Sequence, residues 1–334
     1  MNNSVRSVSI SGVVLLSILS SAAMAQTEVP QAQSSAGPAV AALGGTTYIA
    51  WAGIQPQPEN LGYHVAYTTL GGTPTVFSST FTRVAPALAA ARGTVYLAIR
   101  GNAPLSSADF IYYSSLSGTE LTPPTTLLPG AQTKAAPALT GDSSTLFAAW
   151  TAANGAIQYA TYAHSWSAPQ TTPFTANPLT GPSLALFNGN LYVAWVGSSN
   201  QLNFASLALS TGVWSPAHPV GAASNVAPAL GVYNLPFSAS SGLYIAFTSG
   251  EINLWKYDTV AGTWSPGPIS PRPLVTGFTP ALLSANPECP PGLAGSLYSF
   301  DVFYTSGPEG NIYFDGLLSS GRCHIIPCSP KPCQ

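Results

Sequence analysis

The sequence predicts an all-β fold, a β-propeller of six blades of about 45–54 residues, with seven as the alternative count. Three recurring features predict it. A Pro-Ala or Pro-Ser start recurs at Pro38, Pro86, Pro137, Pro182, Pro228 and Pro280, at gaps of 48, 51, 45, 46 and 52 residues, with 54 residues remaining. Each copy then carries an apolar run ending in a large residue: TYIAW to Trp51, VYLAI to Ile99, LFAAW to Trp150, LYVAW to Trp195, LYIAF to Phe247 and SFDVF to Phe303. A third run follows in GYHVAY, FIYYSSL, AIQYATY, QLNFASL, EINLWKY and NIYFDGL. A self-similar unit of this length holding three or four short strands is the signature of a propeller blade.

The physical logic is that one small sheet cannot bury both of its faces. Stacking blades around an axis buries each against its neighbours, and closing the ring removes the open ends. In LYVAW, both the Leu191, Val193, Trp195 face and the Tyr192, Ala194 face are apolar, as a strand covered on both sides requires. Trp51, Trp150 and Trp195 are therefore core candidates first. Trp166, Trp214 and Trp264, each followed by Ser, are expected on outer strands as caps on blade-to-blade contacts. A Pro at each start suits a strand edge, where a missing N–H does no harm. Residues 26–37 precede the first repeat and are expected to close the ring as an outer strand of the last blade, with GRCHIIP as the competing fourth strand. The expected division is an export signal over 1–25, the N-terminal segment 26–37, the propeller over 38–322 and a Cys/Pro-rich tail over 323–334.

Arg6, the short apolar run Gly12–Leu19 and Ala23-Met24-Ala25 have the order of a cleavable signal peptide, so a secreted or periplasmic protein is expected. The run is too short for a mature membrane span. Four cysteines, Cys289, Cys323, Cys328 and Cys333, fit two disulfides in such a compartment. Of the three connectivities, Cys289–Cys323 with Cys328–Cys333 would staple the last blade and the tail. Only 6% of the chain is charged and the net charge is -2. That excludes the clustered Lys and Arg needed for nucleic acid or an anionic membrane. His64, His164, His218 and His324 form no metal pattern, and no cofactor motif is present.

One equivalent position carries a hydrogen-bonding side chain in every copy: His64, Tyr112, Gln158, Asn203, Asn253 and Tyr313. Buried polar groups must be paired. The series therefore either bonds to nearby backbone or faces wet pockets between blades. Pockets of amides beside aromatic rings suit sugars, whose C–H faces stack on Trp or Tyr while their hydroxyls meet uncharged amides. On this reading His64, Gln158, Asn203 and Asn253 contact hydroxyls, Trp51, Trp150, Trp195 and Trp255 offer stacking surfaces, and repetition raises weak affinities by avidity.

Phrases such as PSLALFNGNLYVAW, followed by a glycine turn and a strand closing on Trp-Ser, resemble the bacterial and fungal propeller lectins. The nearer likeness is to the tectonin-like and insect-pathogen bacterial lectins, the more distant to six-bladed fucose-binding lectins. The resemblance implies a multivalent, non-enzymatic binder of glycans or glycoconjugates. The fucose-binding group uses an Arg, a Glu and an aromatic in each site. Here Arg100 and Glu251 each occur in one copy only, so fucose specificity does not carry over. Two rival classes remain. A sialidase-like hydrolase would need a pair of carboxyl groups, and Asp109, Asp142, Glu251, Asp301 and Glu309 show no spacing that gathers them; neither an Asp-box nor a G-x-S-x-G elbow occurs. A scaffold for a protein partner would use inserts such as NLPFSASS and NPECPPGLAG instead.

Overall fold

Six antiparallel sheets of four or five strands make up the described chain, and no helix occurs among the described residues. The computed structural model describes residues 27–56, 62–101, 109–118, 120–233, 241–267, 276–285 and 293–325. In blade 1 the strands Ala39–Leu43, Thr46–Pro56, Tyr63–Thr69 and Thr75–Thr82 pair in chain order. Blades 2 to 5 repeat this arrangement, with inner strands Ala87–Ala91, Ala138–Gly141, Ser183–Phe187 and Ala229–Tyr233. Blade 6 takes its inner three strands from Ala281–Ala285, Leu293–Ser306 and Asn311–Ile325, and its outer strand from Thr27–Gln33. Each inner strand lies beside the next around the ring, and that of blade 6 lies beside that of blade 1.

The N-terminal clasp is therefore an outer strand of the last blade. Thr27 pairs with Phe314 and Glu28 with Tyr313. Residues Gly321–Ile325 instead continue the third strand, opposite Leu293–Leu297, so GRCHIIP supplies no fourth strand. At the junction the Ser34 N–H donates to the Gly310 carbonyl at 2.7 Å. Gly310 sits at φ +71, and a Cβ there would collide with the Ser34 carbonyl oxygen, so a glycine is what lets the ends meet. The expected signal segment, Cys289, Cys328 and Cys333 lie outside the described residues. Of Cys323 only the backbone, opposite Gly295, is described. No helix among the described residues is long and apolar enough to cross a membrane.

The core is a ring of slabs between blades. Trp150 packs with Ala89, Tyr96 and Ala98 of blade 2, and Trp195 with Ala149, Ile157 and Phe174 of blade 3. Trp51 meets Leu283 and Phe303 of blade 6 together with Val29 and Ala32 of the clasp. All five residues of LYVAW are buried, as the two-faced apolar pattern requires. Trp166, Trp214 and Trp264 pack against the preceding blade, Trp214 and Trp264 from outer strands and Trp166 from an isolated bridge to Tyr162 ahead of its blade's outer strand Gln170–Thr175. The Ser after each of the first two completes the strand: Ser167 Oγ accepts from Thr161 N–H at 3.1 Å, and Ser215 Oγ from Ser206 N–H at 3.0 Å.

A second repeat lies four residues before five of the six Pro residues, in Ser34, Thr82, Thr133, Ser224 and Thr276; before Pro182 the position is Pro178. Each hydroxyl accepts the N–H two residues on and donates to a carbonyl. Thr133 Oγ1 donates to the Thr151 carbonyl at 2.8 Å, and Thr151 Oγ1 donates to the Thr180 carbonyl of the next blade's lead-in at 2.9 Å. Thr305 reaches the Ala36 carbonyl at 2.8 Å in the same way across the closure. Thr133→Val keeps the volume and strands these buried partners, so a loss of about 1–3 kcal/mol is expected in urea unfolding.

Candidate functional site

The polar series is tied to its own strands. Gln158 stands opposite Trp150; its Oε1 accepts the indole N–H at 3.0 Å and its Nε2 donates to Thr171 Oγ1 at 3.3 Å. Asn203 Nδ2 donates to the Gln201 carbonyl at 3.0 Å. Asn253 Nδ2 donates to Ser249 Oγ and to the Glu251 carbonyl, both at 3.0 Å. The His64 ring lies 4.7 Å from that of Phe81, and its Nδ1 is buried without a partner. Asn311 Nδ2 reaches the Tyr313 hydroxyl at 3.5 Å.

The tryptophans paired with that series sit differently. Trp150 is 0% exposed, Trp51 and Trp195 are 3% exposed, and Phe174 stacks on Trp195 at 4.9 Å. Rings covered by neighbouring blades have no face for a sugar, which corrects the stacking role expected of these three. Trp255 is half-buried, edge-on to Phe247 at 5.5 Å. Arg100 is also committed: it pairs with Asp109 at 2.7 Å and donates to the Lys134 carbonyl at 3.1 Å, joining blade 2 to the lead-in of blade 3.

Open, polar-and-aromatic space lies elsewhere, at the rim where inner turns meet third-strand ends. Between blades 4 and 5 is a groove of about 310 Å³, lined by Phe187, Asn188, Ser241, Tyr257, Asp258 and Ser265. Asn188 comes from the turn before the second strand of blade 4, at φ +49 with Gly189 at φ +74. Tyr257 ends the third strand of blade 5 and is boxed by Tyr192, Phe204 and Trp264 at 5.8, 5.4 and 5.1 Å. Lys256 also lines the groove, its stem lying where a Cβ on Gly242 would sit, 2.8 Å from its Cε. Asp258 Oδ1 accepts from Val260 N–H at 2.8 Å and Ala261 N–H at 3.0 Å. Those two bonds hold its carboxyl below the usual range. Burial, then the Asp258 charge, pushes the Tyr257 phenol up. At neutral pH the groove thus offers a carboxylate, a neutral phenol, an amide and two serine hydroxyls beside aromatic faces.

The same set of positions recurs between blades 2 and 3, where the Arg92 guanidinium lies over the tyrosine ring. Tyr162 takes the place of Tyr257, Tyr96 that of Tyr192, Tyr113 that of Phe204, Trp166 that of Trp264 and Arg92 that of Asn188. Between blades 3 and 4 the tyrosine position is Leu207, and between blades 1 and 2 it is Leu116. The repeated Tyr162 and Tyr257 at the ends of AIQYATY and EINLWKY are the visible signal of these sites.

The central channel, about 390 Å³, is lined by Pro, Ala, Leu, Val, Gly, Ser and Thr residues of the inner strands and carries no charged side chain. The acids do not meet there. Asp142 lies in the inner turn of blade 3, whereas Glu251 and Glu309 lie at the opposite strand ends of blades 5 and 6. Among the described residues no group of three His, Cys, Asp or Glu is placed to hold a metal ion.

No protein-family model and no curated protein matches the sequence. Solved structures do match. The fungal lectin of Aleuria aurantia, described as a six-bladed β-propeller with a novel fucose recognition mode, aligns at 14% identity over 87% of this chain and 97% of that one, with a TM-score of 0.53. The chain is a six-bladed propeller. The SapL1 lectin, solved with α-methyl fucoside, aligns at 12% identity over 91% of this chain and 99% of that one, TM-score 0.52. The NanB sialidase of Streptococcus pneumoniae aligns at 9% identity over 91% of this chain and 70% of that one, TM-score 0.51. The likeness to six-bladed fucose-binding lectins is thus borne out in fold. At these identities it carries no binding residues with it.

Proposed function

We propose that the protein is an exported, non-enzymatic propeller that binds glycans through its rim grooves. The observation that carries this reading is the groove at Tyr257. It has the lower end of the volume usual for small-ligand sites, about 300 Å³ or more, an aromatic floor, and an amide, hydroxyls and a carboxylate around it. A sugar's C–H face stacks on the Tyr257 ring while its hydroxyls bond to Asn188, Ser241, Ser265 and Asp258. The matching residues two blades away, around Tyr162, supply a second contact, so weak single sites gain strength on a surface bearing many copies of the glycan. The lectins among the fold's neighbours add support at the level of architecture. The uncharged lining of the channel fits binding better than hydrolysis.

A glycan array probed with labelled protein at high density tests the reading. Binding to one sugar class is expected, reduced about tenfold or more by Tyr257→Ala in protein whose circular dichroism is unchanged. A blank array from folded protein would overturn it. Binding is also expected to stay level from about pH 5 to pH 9. The lowered Asp258 carboxyl remains ionised and the raised Tyr257 phenol remains neutral throughout that window. The carboxylate contact is lost only as pH falls below the ordinary carboxylate range, and titration of the array signal with pH checks it.

A further inference from the structure

The two tyrosine sites differ in charge, at the turn residue and at the strand pair beside the tyrosine. The turn Ala91-Arg92-Gly93 places Arg92 at φ +54 and Gly93 at φ +76, nearly the angles of Asn188 and Gly189. The Arg92 guanidinium lies over the Tyr162 ring, 5.5 Å from its centroid. Its Nη1 donates to the Ser144 carbonyl at 2.9 Å, and no carboxylate of a described residue is within ion-pair distance of it. Asp142, whose carbonyl receives the Arg92 backbone N–H, turns its carboxylate on its own loop, to Ser144 and Thr145. Beside the guanidinium stand three phenols: Tyr96 and Tyr113 lie 6.0 and 6.2 Å from Tyr162. The Trp166 indole, edge-on to Tyr113 at 5.4 Å, has a buried N–H that approaches the Tyr113 hydroxyl without hydrogen-bonding geometry. In the other groove the Lys256 charge is matched by Asp258; here the positions of that pair are Thr161 and Ala163. A cation without a carboxylate partner, held on an aromatic face and ringed by hydroxyls, is a receptor for an anion attached to a polar body.

We propose that the Arg92–tyrosine cluster at the junction of blades 2 and 3 is a second ligand site, selective for sugars carrying an anionic substituent, a carboxylate or a sulfate ester. Arg92, held over the Tyr162 ring, takes the anionic group, and the phenols of Tyr96, Tyr113 and Tyr162 take the hydroxyls. The groove at Tyr257 serves neutral sugars. This rests on the glycan-binding reading above and divides it between two chemically distinct sites.

Ligand-observed NMR titration of the full chain tests it, using glucuronic acid against glucose, and galactose 6-sulfate against galactose. Arg92→Asn installs the residue that already adopts this turn at Asn188, so folding is expected to be kept. Affinity for the anionic sugar should fall about tenfold or more, with neutral-sugar binding and its dependence on Tyr257 unchanged. The reciprocal Asn188→Arg combined with Asp258→Ala, which removes the neighbouring carboxylate, should confer anionic binding on the other groove. Whichever acid arm responds identifies carboxylate or sulfate as the group taken. Equal binding of charged and neutral sugars, or anionic binding indifferent to Arg92→Asn, overturns the proposal. So does a gain of neutral-sugar binding in Arg92→Asn, which would make Arg92 a plug. Neutral binding lost with Tyr257 and no anionic binding at all overturns the division alone. Failure of every sugar overturns the glycan reading itself.

Discussion

Replacing Trp150 by Ala is expected to lower the free energy of unfolding by about 3–5 kcal/mol. The ring is 0% exposed and lies between blades 2 and 3, against Ala89, Tyr96, Ala98 and Leu139. The rigid, hydrogen-bonded sheets on either side cannot close over the hole, so most of the cavity term remains. The indole N–H is satisfied by Gln158 Oε1 at 3.0 Å, and Gln158 is half-exposed, so water can take over its amide after the substitution. The cavity, and not the lost hydrogen bond, should therefore dominate. Trp150→Phe, which keeps most of the ring volume but drops the N–H, should cost only about 1–2 kcal/mol. Urea denaturation of the two variants separates these contributions. Equal losses would show that the Trp150–Gln158 bond carries the stability instead of the packing.

Deleting the clasp, residues 27–33, should be at least as damaging, roughly 5 kcal/mol from its buried side chains and ladder bonds. Val29 and Ala32 are each 1% exposed, packed with Ile49, Trp51, Phe303 and Ile312 across the junction of blades 6 and 1. Their removal uncovers a core slab and leaves the third strand of blade 6 as an open edge, a template for pairing with another chain. The expected outcome is a lower urea midpoint together with concentration-dependent association, read by light scattering. A synthetic peptide spanning residues 26–37 should reverse the association. Unchanged stability would mean that the ring holds closed through its inner strands alone.

The repeat was legible in the sequence because its signals are local. Pro at a strand start, an apolar second strand and a Trp-Ser close each follow from what one blade must do: turn, bury two faces and cap an edge. The count of six and the N-terminal clasp followed from spacing. The lead-in hydroxyls at Ser34, Thr82, Thr133, Ser224 and Thr276 were equally visible, four residues before five of the six Pro residues, yet Ser and Thr are too common there to stand out. Their role shows only when the Thr151 and Thr305 hydroxyls are seen reaching the next blade.

The site was not legible in the same way. Strand alternation reports which residues share a face, but in a propeller both faces of the second strand are covered. Trp51, Trp150 and Trp195 therefore carry the same pattern whether they pack or bind, and burial decides for packing. Tyr162 and Tyr257 differ from Leu116 and Leu207 by one residue in a repeat. What each presents depends on the turn of the preceding blade, some 70 residues earlier in the chain, where Arg92 lies over one and Asn188 stands beside the other. The sequence by itself determined the blade, its number and its closure, because these follow from short-range periodicity and the need to bury a small sheet. Only the tertiary structure decided which aromatic rings meet solvent and which charge sits beside them, because that is set where two blades distant in sequence touch.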